Sequence, residues 1–171
     1  MSRNVEVKAR IDSIESLLPR ARALADGPHV LIEQDDTFFF CARGRLKLRD
    51  FGDGTGELIH YERPDTAGPK LSDYVRAPTV DPATLREALT RAQEQIGRVR
   101  KTRWLLLAGQ TRIHLDRVAG LGDFIELEVM LRENQTEAEG SAIAEALLGQ
   151  LGIHAKRCLA GSYFDLLHAA R

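Results

Sequence analysis

The chain has only two cysteines, Cys41 and Cys158, among its 171 residues. That is too few for a disulfide framework, and their apolar neighbours mark them as reduced thiols in or near a core. Neither charge sign is in excess: 24 Lys and Arg stand against 25 Asp and Glu, for a formal net charge of −1. A nucleic-acid or membrane-surface protein would carry a basic surplus, so neither partner is expected. Long apolar runs are missing too. The longest, at 104–108, falls far short of the roughly 20 residues needed to span a bilayer. Residues 1–6 contain no apolar stretch resembling a secretory leader, and a cytoplasmic location is expected. The histidines at 29, 60, 114, 154 and 168 show no ligand spacing, which argues against zinc. No Ser/His/Asp or Cys/His nucleophile constellation stands out.

What is present fits one domain, 1–171, with a sizeable core. Residues 5–11 alternate as a strand, and Asp12 or Ser13 then caps a helix to about 25 with Ile14, Leu17, Leu18, Ala21 and Leu24 on one stripe. Strands are expected at 37–40, 45–51 and 57–62, the last two joined by a glycine-rich hairpin at 52–56. A loop at 66–70 precedes a short strand at 72–77. Asp81-Pro82 opens a second helix that Gly97 ends. Strands at 99–108, 111–118 and 123–131 follow, then a helix capped by Thr136 to about 151 and a short terminal helix at 162–168.

The informative feature is where the strand charges fall, since alternate residues point to opposite faces. Val5, Val7 and Ala9 share one face of the first strand; Asn4, Glu6, Lys8 and Arg10 share the other. Leu46 and Leu48 oppose Arg45, Lys47 and Arg49, while Lys101 and Arg103 share a face. Ile113 and Leu115 oppose Arg112, His114 and Asp116; Ile125, Leu127 and Val129 oppose Glu126 and Glu128. Amphipathic helices need the apolar faces, so the charged faces point away from them. Patterning alone serves equally an open sheet with one solvated face and a closed barrel with a charged interior. Two details favour enclosure: the charged faces are rich in bases, and the two signs are segregated. Bases so crowded repel unless an anion sits among them. A carboxylate cluster beside them suits a divalent cation bridged to phosphates.

The segments N-V-E-V-K-A-R at 4–10, D-D-T-F-F-F at 35–40, G-R-L-K-L-R at 44–49 and E-L-I-H-Y-E-R-P at 57–64 have a familiar order. So do V-R-K-T-R-W at 99–104, Q-T-R-I-H-L-D-R-V at 110–118, G-L-G-D-F-I-E-L-E-V at 120–129 and G-S-Y-F-D-L-L at 161–167. Along its full length the chain resembles the CYTH superfamily of triphosphate tunnel enzymes, and within it the class IV adenylate cyclase branch. The resemblance implies an α+β fold, a closed eight-stranded antiparallel barrel with helices packed outside. It implies phosphate binding by Lys8, Arg45, Lys47, Arg49, Lys101 and Arg103, with Arg63 as the nearest base where many triphosphatases carry lysine. It implies Mg²⁺ or Mn²⁺ held by Glu6, Asp116, Glu126 and Glu128. Asn4 departs from the family's E-x-E-x-K signature, bringing an amide oxygen without a charge. Lys70, in its loop, is a further base within reach of a tunnel mouth or a plain solvated lysine.

The resemblance further implies a small-molecule triphosphate substrate, turned over like ATP to cyclic AMP and pyrophosphate or hydrolysed as inorganic, thiamine or nucleoside triphosphate. Both reactions depend on positioning and charge neutralisation. Lys8 and Glu6 are the catalytic candidates, Lys8 tuning the nucleophile. A non-catalytic polyphosphate binder, with Asn4 as its symptom, is the rival from another class. A third reading is a tunnel repurposed for another diphosphate ester, with 38–40 and Trp104 against an apolar tail or simply on the barrel exterior. A homodimer is allowed.

Overall fold

In the computed structural model, which describes residues 2–169, eight strands build one sheet. They are β1 (Ser2–Arg10), β2 (Val30–Phe39), β3 (Arg45–Asp50), β4 (Gly56–Glu62), β5 (Lys70–Thr79), β6 (Gln95–Ala108), β7 (Thr111–Val118) and β8 (Gly122–Met130). Four α-helices accompany them: α1 (Ile14–Leu24), α2 (Pro82–Ala92), α3 (Glu137–Leu151) and α4 (Tyr163–Ala169). The strand order β1-β5-β4-β3-β2-β6-β7-β8 closes on itself, with β1 antiparallel to both β5 and β8. The fold is the closed α+β barrel that the resemblance implied and that the base-rich, segregated charges favoured over an open sheet.

Local chemistry sets the helix starts. Ser13, rather than Asp12, caps α1 by accepting from the Ser16 amide at 3.1 Å. Asp81 caps α2 with Pro82 in the first turn, and Thr136 and Glu139 form a reciprocal capping box on α3. The outward faces of β1, β7 and β8 supply Val5, Val7, Ile113, Leu115, Ile125 and Leu127, all 0–1% exposed. They merge with Ile14, Leu17 and Ala21 of α1 and Ala144, Leu148 and Leu151 of α3 into the main core. Each large aliphatic side chain so buried contributes about 1.5–3 kcal/mol. Gly140 lets α3 approach this closely: a Cβ there would lie 2.6 Å from Leu131 and 2.8 Å from Val5.

A second cluster, Phe38, Val99, Val118, Phe124 and Tyr163 with Phe164 and Leu167, ties α4 over one end of the barrel. Phe164 lies so near β6 that a Cβ on Gly97 would run into its ring. No helix among the described residues is long and apolar enough to cross a membrane.

The structure departs furthest from the sequence expectation in three places. β2 starts at Val30, well before the expected 37–40. Its outward residues Leu31 and Glu33 are exposed, so no apolar outward stripe announces it. α2 ends at Ala92, and Gly97 lies inside β6. Lys70 opens β5 rather than lying in a loop; it is 2% exposed and donates to the carbonyls of Thr66 and Leu159 at 2.7 and 3.4 Å. It does not line the cavity.

Candidate active site in the barrel lumen

The inward faces enclose a cavity of about 460 Å³. Asn4, Glu6 and Lys8 reach it from β1, Glu126 and Glu128 from β8, and Arg112 and His114 from β7. Lys47 and Arg49 enter from β3, Gln34 and Asp36 from β2, Lys101 and Arg103 from β6, and Arg63 from just beyond β4. The β1–β8 wall stands opposite the β3–β2 wall in the ring, so most of the carboxylates face the basic strands across the lumen.

The basic wall is organised around a residue that sequence reasoning missed. Asp36 is 1% exposed, and its carboxylate accepts from Lys47 at 3.0 Å, Arg49 twice at 2.8 Å and Lys101 at 3.2 Å. Burial alone would raise this carboxyl, but Arg49, Lys101 and Lys47 hold it well below the usual carboxylate range. Burial pushes Lys101 down to about 7, with Arg49, Arg103 and Lys47 adding to it and Asp36 opposing.

On the acidic wall Glu126 meets Lys8 at 3.2 Å and accepts from Arg103 at 2.9 Å. Burial works against its charge, yet Lys8, His114 and Arg103 hold it well below the usual range. Glu6 goes the other way: burial and the nearby Glu126 raise it, although Arg63 lies 3.0 Å away. Ligand atoms of His114, Glu126 and Glu128 lie within 4.8 Å of one another. Among the described residues this compact set takes in His114, and neither Glu6 nor Asp116 belongs to it. His114 is 3% exposed, with its Nδ1 3.5 Å from a Glu126 oxygen, and the buried Oδ1 of Asn4 has no hydrogen-bond partner.

Two sequence-predicted residues stand apart from the lumen. Asp116 is fully buried, accepts from Arg103 Nε and Nη2 at 2.7 Å each and from the Tyr163 hydroxyl at 2.8 Å, so its oxygens are committed. Arg45 begins β3 and turns to Asp165 at 2.6 Å and Asp65 at 3.0 Å. Neither lines the cavity. The aromatics scatter: Phe38 lines the lumen beside α4, Phe40 is 59% exposed, and Trp104 packs outside under Arg117.

The family model of the CYTH domain matches residues 2–163. The chain belongs to the CYTH domain family. The PH1012 protein of Pyrococcus horikoshii superposes with a TM-score of 0.84 at 23% identity, over 95% of this chain and 98% of its own. A candidate adenylate cyclase from Vibrio parahaemolyticus gives 0.78 at 18% identity, over 96% of this chain and 97% of its own. A candidate adenylyl cyclase from Hippeastrum, described as having a dominant triphosphatase activity, gives 0.67 at 15%, over 100% and 97%. No curated protein matches the sequence significantly. At these identities the likeness establishes the CYTH fold; the reaction has to be argued from the lumen.

Proposed function

We propose that this CYTH protein is a divalent-metal-dependent enzyme that holds a triphosphate-bearing small molecule inside the barrel and breaks one of its phosphorus–oxygen bonds. The observation that carries the reading is the charge balance of the lumen. Lys8, Lys47, Arg49, Arg63, Arg76, Lys101, Arg103 and Arg112 line it against Glu6, Asp36, Glu57, Glu126 and Glu128. This surplus of bases occurs in a chain whose overall charge is −1. The Arg63 side chain is 3% exposed, and its buried Nη1 has no partner in the protein. A desolvated guanidinium N–H calls for an acceptor, and a polyanion supplies it.

The donor set fits Mg²⁺ or Mn²⁺. Glu128 offers hard oxygens with no base nearer than 3.6 Å, and Glu126 would share its own with Lys8 and Arg103; the orphaned Asn4 Oδ1 lies on the neighbouring strand, and His114 adds an imidazole that Mn²⁺ accepts readily. When bound, such an ion neutralises charge on the phosphate oxygens. The chain's own groups do the rest. Lys47, Arg49 and Lys101 are held ready by Asp36 to grip the far phosphates and the departing pyrophosphate. Arg63 and Lys8 lie against the carboxylates that face them.

In the first reading the substrate is ATP, as in class IV adenylate cyclases. Its ribose 3′-oxygen attacks the α-phosphorus, the α–β bridging bond breaks, and cyclic AMP and pyrophosphate form. The second reading, hydrolysis by water at the terminal phosphorus, is favoured by the triphosphatase activity described for the Hippeastrum protein. Incubation with ATP, thiamine triphosphate and inorganic triphosphate under Mg²⁺ and Mn²⁺, with products resolved by chromatography, separates them. Cyclic AMP selects the first reading and orthophosphate the second. Absence of both turnover and calorimetric binding for all three ends the proposal.

A further inference from the structure

The two ends of the tunnel differ in chemistry. One end is stopped by the C-terminal segment, where Ser162 and the 5%-exposed Tyr163 line the cavity and Lys8 sits 4.0 Å over the Tyr163 ring. The other end opens to solvent: Leu107 and Arg76 line the cavity and are nevertheless exposed, Leu107 by 53%.

Toward the open end three adjacent strands change character together. Along the inward face of β6 the order is Lys101, Arg103, Leu105, Leu107. On β2, read in the same direction, it is Asp36, Gln34, Ile32, and Val30 at the rim. β3 and the residue after it give Lys47, Arg49, Phe51. The registers set these side by side, Ile32 opposite Arg103 and Val30 opposite Leu105. Across the lumen Asn4 of β1 and Glu128 of β8 stay polar toward the same end, and on β7 Arg112 stands beside Leu107 and bounds the lip. The result is a one-sided apolar lip continuous with the charged middle. Val30 is 57% exposed, so the lip leaves apolar surface in water that a ligand could cover. Leu105 lies two residues beyond Arg103, roughly 7 Å along the strand, within reach of a group covalently joined to a bound phosphate. At the border Gln34, 6% exposed, keeps a buried Oε1 with no partner.

We infer that this lip is the subsite for the organic half of a polyphosphate ester, an apolar or aromatic group carrying an N–H or O–H that Gln34 can accept. The inference rests on the triphosphate reading and narrows it: the preferred ligand is an ester, not inorganic triphosphate. A lip intended for inorganic phosphate has no use for Leu105, Leu107, Ile32 and Phe51 on one wall.

The test is calorimetric binding of inorganic triphosphate, methyl triphosphate and phenyl triphosphate to the full chain and to Leu107→Ser. Leu107 is half exposed, so the variant is expected to fold, and a thermal melt checks it; Leu105→Ser is the second variant. Phenyl triphosphate should bind the wild type about tenfold or more tightly than methyl triphosphate, as expected for burying a ring face. That ratio should fall toward one in either variant. Equal affinities in the wild type, or a ratio that survives both substitutions, overturns the subsite while leaving the triphosphate reading standing if inorganic triphosphate binds. Binding of none of the three overturns both. A wild-type dimer that Leu107→Ser converts to monomer would assign the lip to a second copy of the chain and likewise overturn the proposal.

Discussion

Replacing Asp36 by Asn removes the charge on which three lumen cations converge. The side chain is 1% exposed, and its partners Lys47, Arg49 and Lys101 stand 2.8–3.2 Å away. Breaking a buried ionic cluster by removing one partner typically costs about 3–5 kcal/mol, because the remaining charges stay desolvated and unpaired. In a chain of this size that corresponds to a fall in Tm of roughly 6–20 °C. Part of the strain has an outlet. Lys101 already titrates near 7, and without Asp36 it loses its proton still more readily, so the cost should lie toward the lower figure at pH 8. A polyanion in the lumen would replace the lost charge. Thermal unfolding of wild type and Asp36→Asn, each with and without saturating inorganic triphosphate, should therefore show a large gap in the free proteins that narrows in the bound ones. A variant as stable as wild type, or a gap that ligand leaves unchanged, would refute the argument that Asp36 stands in for a phosphate.

The two metal-side glutamates should behave differently. Glu128 is 19% exposed at its side chain with Arg112 no nearer than 3.6 Å, so Glu128→Gln should abolish Mn²⁺-induced stabilisation while shifting the metal-free Tm by only a few degrees. Glu126→Gln strips Lys8 and Arg103 of a buried partner and should cost about 3 kcal/mol even without metal, so a neutral effect on the melt would contradict its ion pairing. Lys101 predicts the pH dependence. Its folded pKa of about 7 lies below the ordinary 10.5, so the unfolded chain binds more protons between those values, and this group's contribution to stability rises with pH across that window. A bound polyanion favours the charged ammonium, so its affinity should fall above pH 7 by at most about tenfold per unit. Calorimetry at pH 8 in buffers of different ionisation heat should register proton uptake on binding; none would rule Lys101 out of the phosphate grip.

Much of this lumen is legible in the sequence because strand parity is an exact period. Lys8, Lys47, Arg49, Lys101, Arg103, Glu126 and Glu128 fall on the charged strand faces by alternation, and all line the cavity. Parity gives a face and not a depth, which is why Arg45 and Asp116 mislead. Arg45 has the right parity but starts its strand and turns to Asp165, while Asp116 is sealed under Arg103 and Tyr163. Asp36 was hidden for another reason. The outer face of β2 is solvated, with Glu33 receiving the Thr102 hydroxyl and Asp35 the Arg98 guanidinium, so no apolar stripe extends the strand back to include it. His114 was seen on the charged face of its strand, but its two companions come from the neighbouring strand through register. No local spacing could announce them.

The barrel's closure has a consequence for how the site is kept. Slipping a strand by one residue would turn every inward side chain outward. β1 is the strand on which such a slip would do most harm, since it carries Asn4, Glu6 and Lys8. It is clamped on one side by β5, with Asn4 opposite Ser72, and on the other by β8, with Lys8 opposite Glu126. A ring offers no free edge along which it could creep. Apart from Arg63 just beyond β4, the lumen charges are therefore carried by backbone ladders and not by loops, and little backbone movement is needed when an anion enters. A substitution at the open end, such as one at Leu107, would leave these ladders in place, so the group recognised there can change without moving the charged middle.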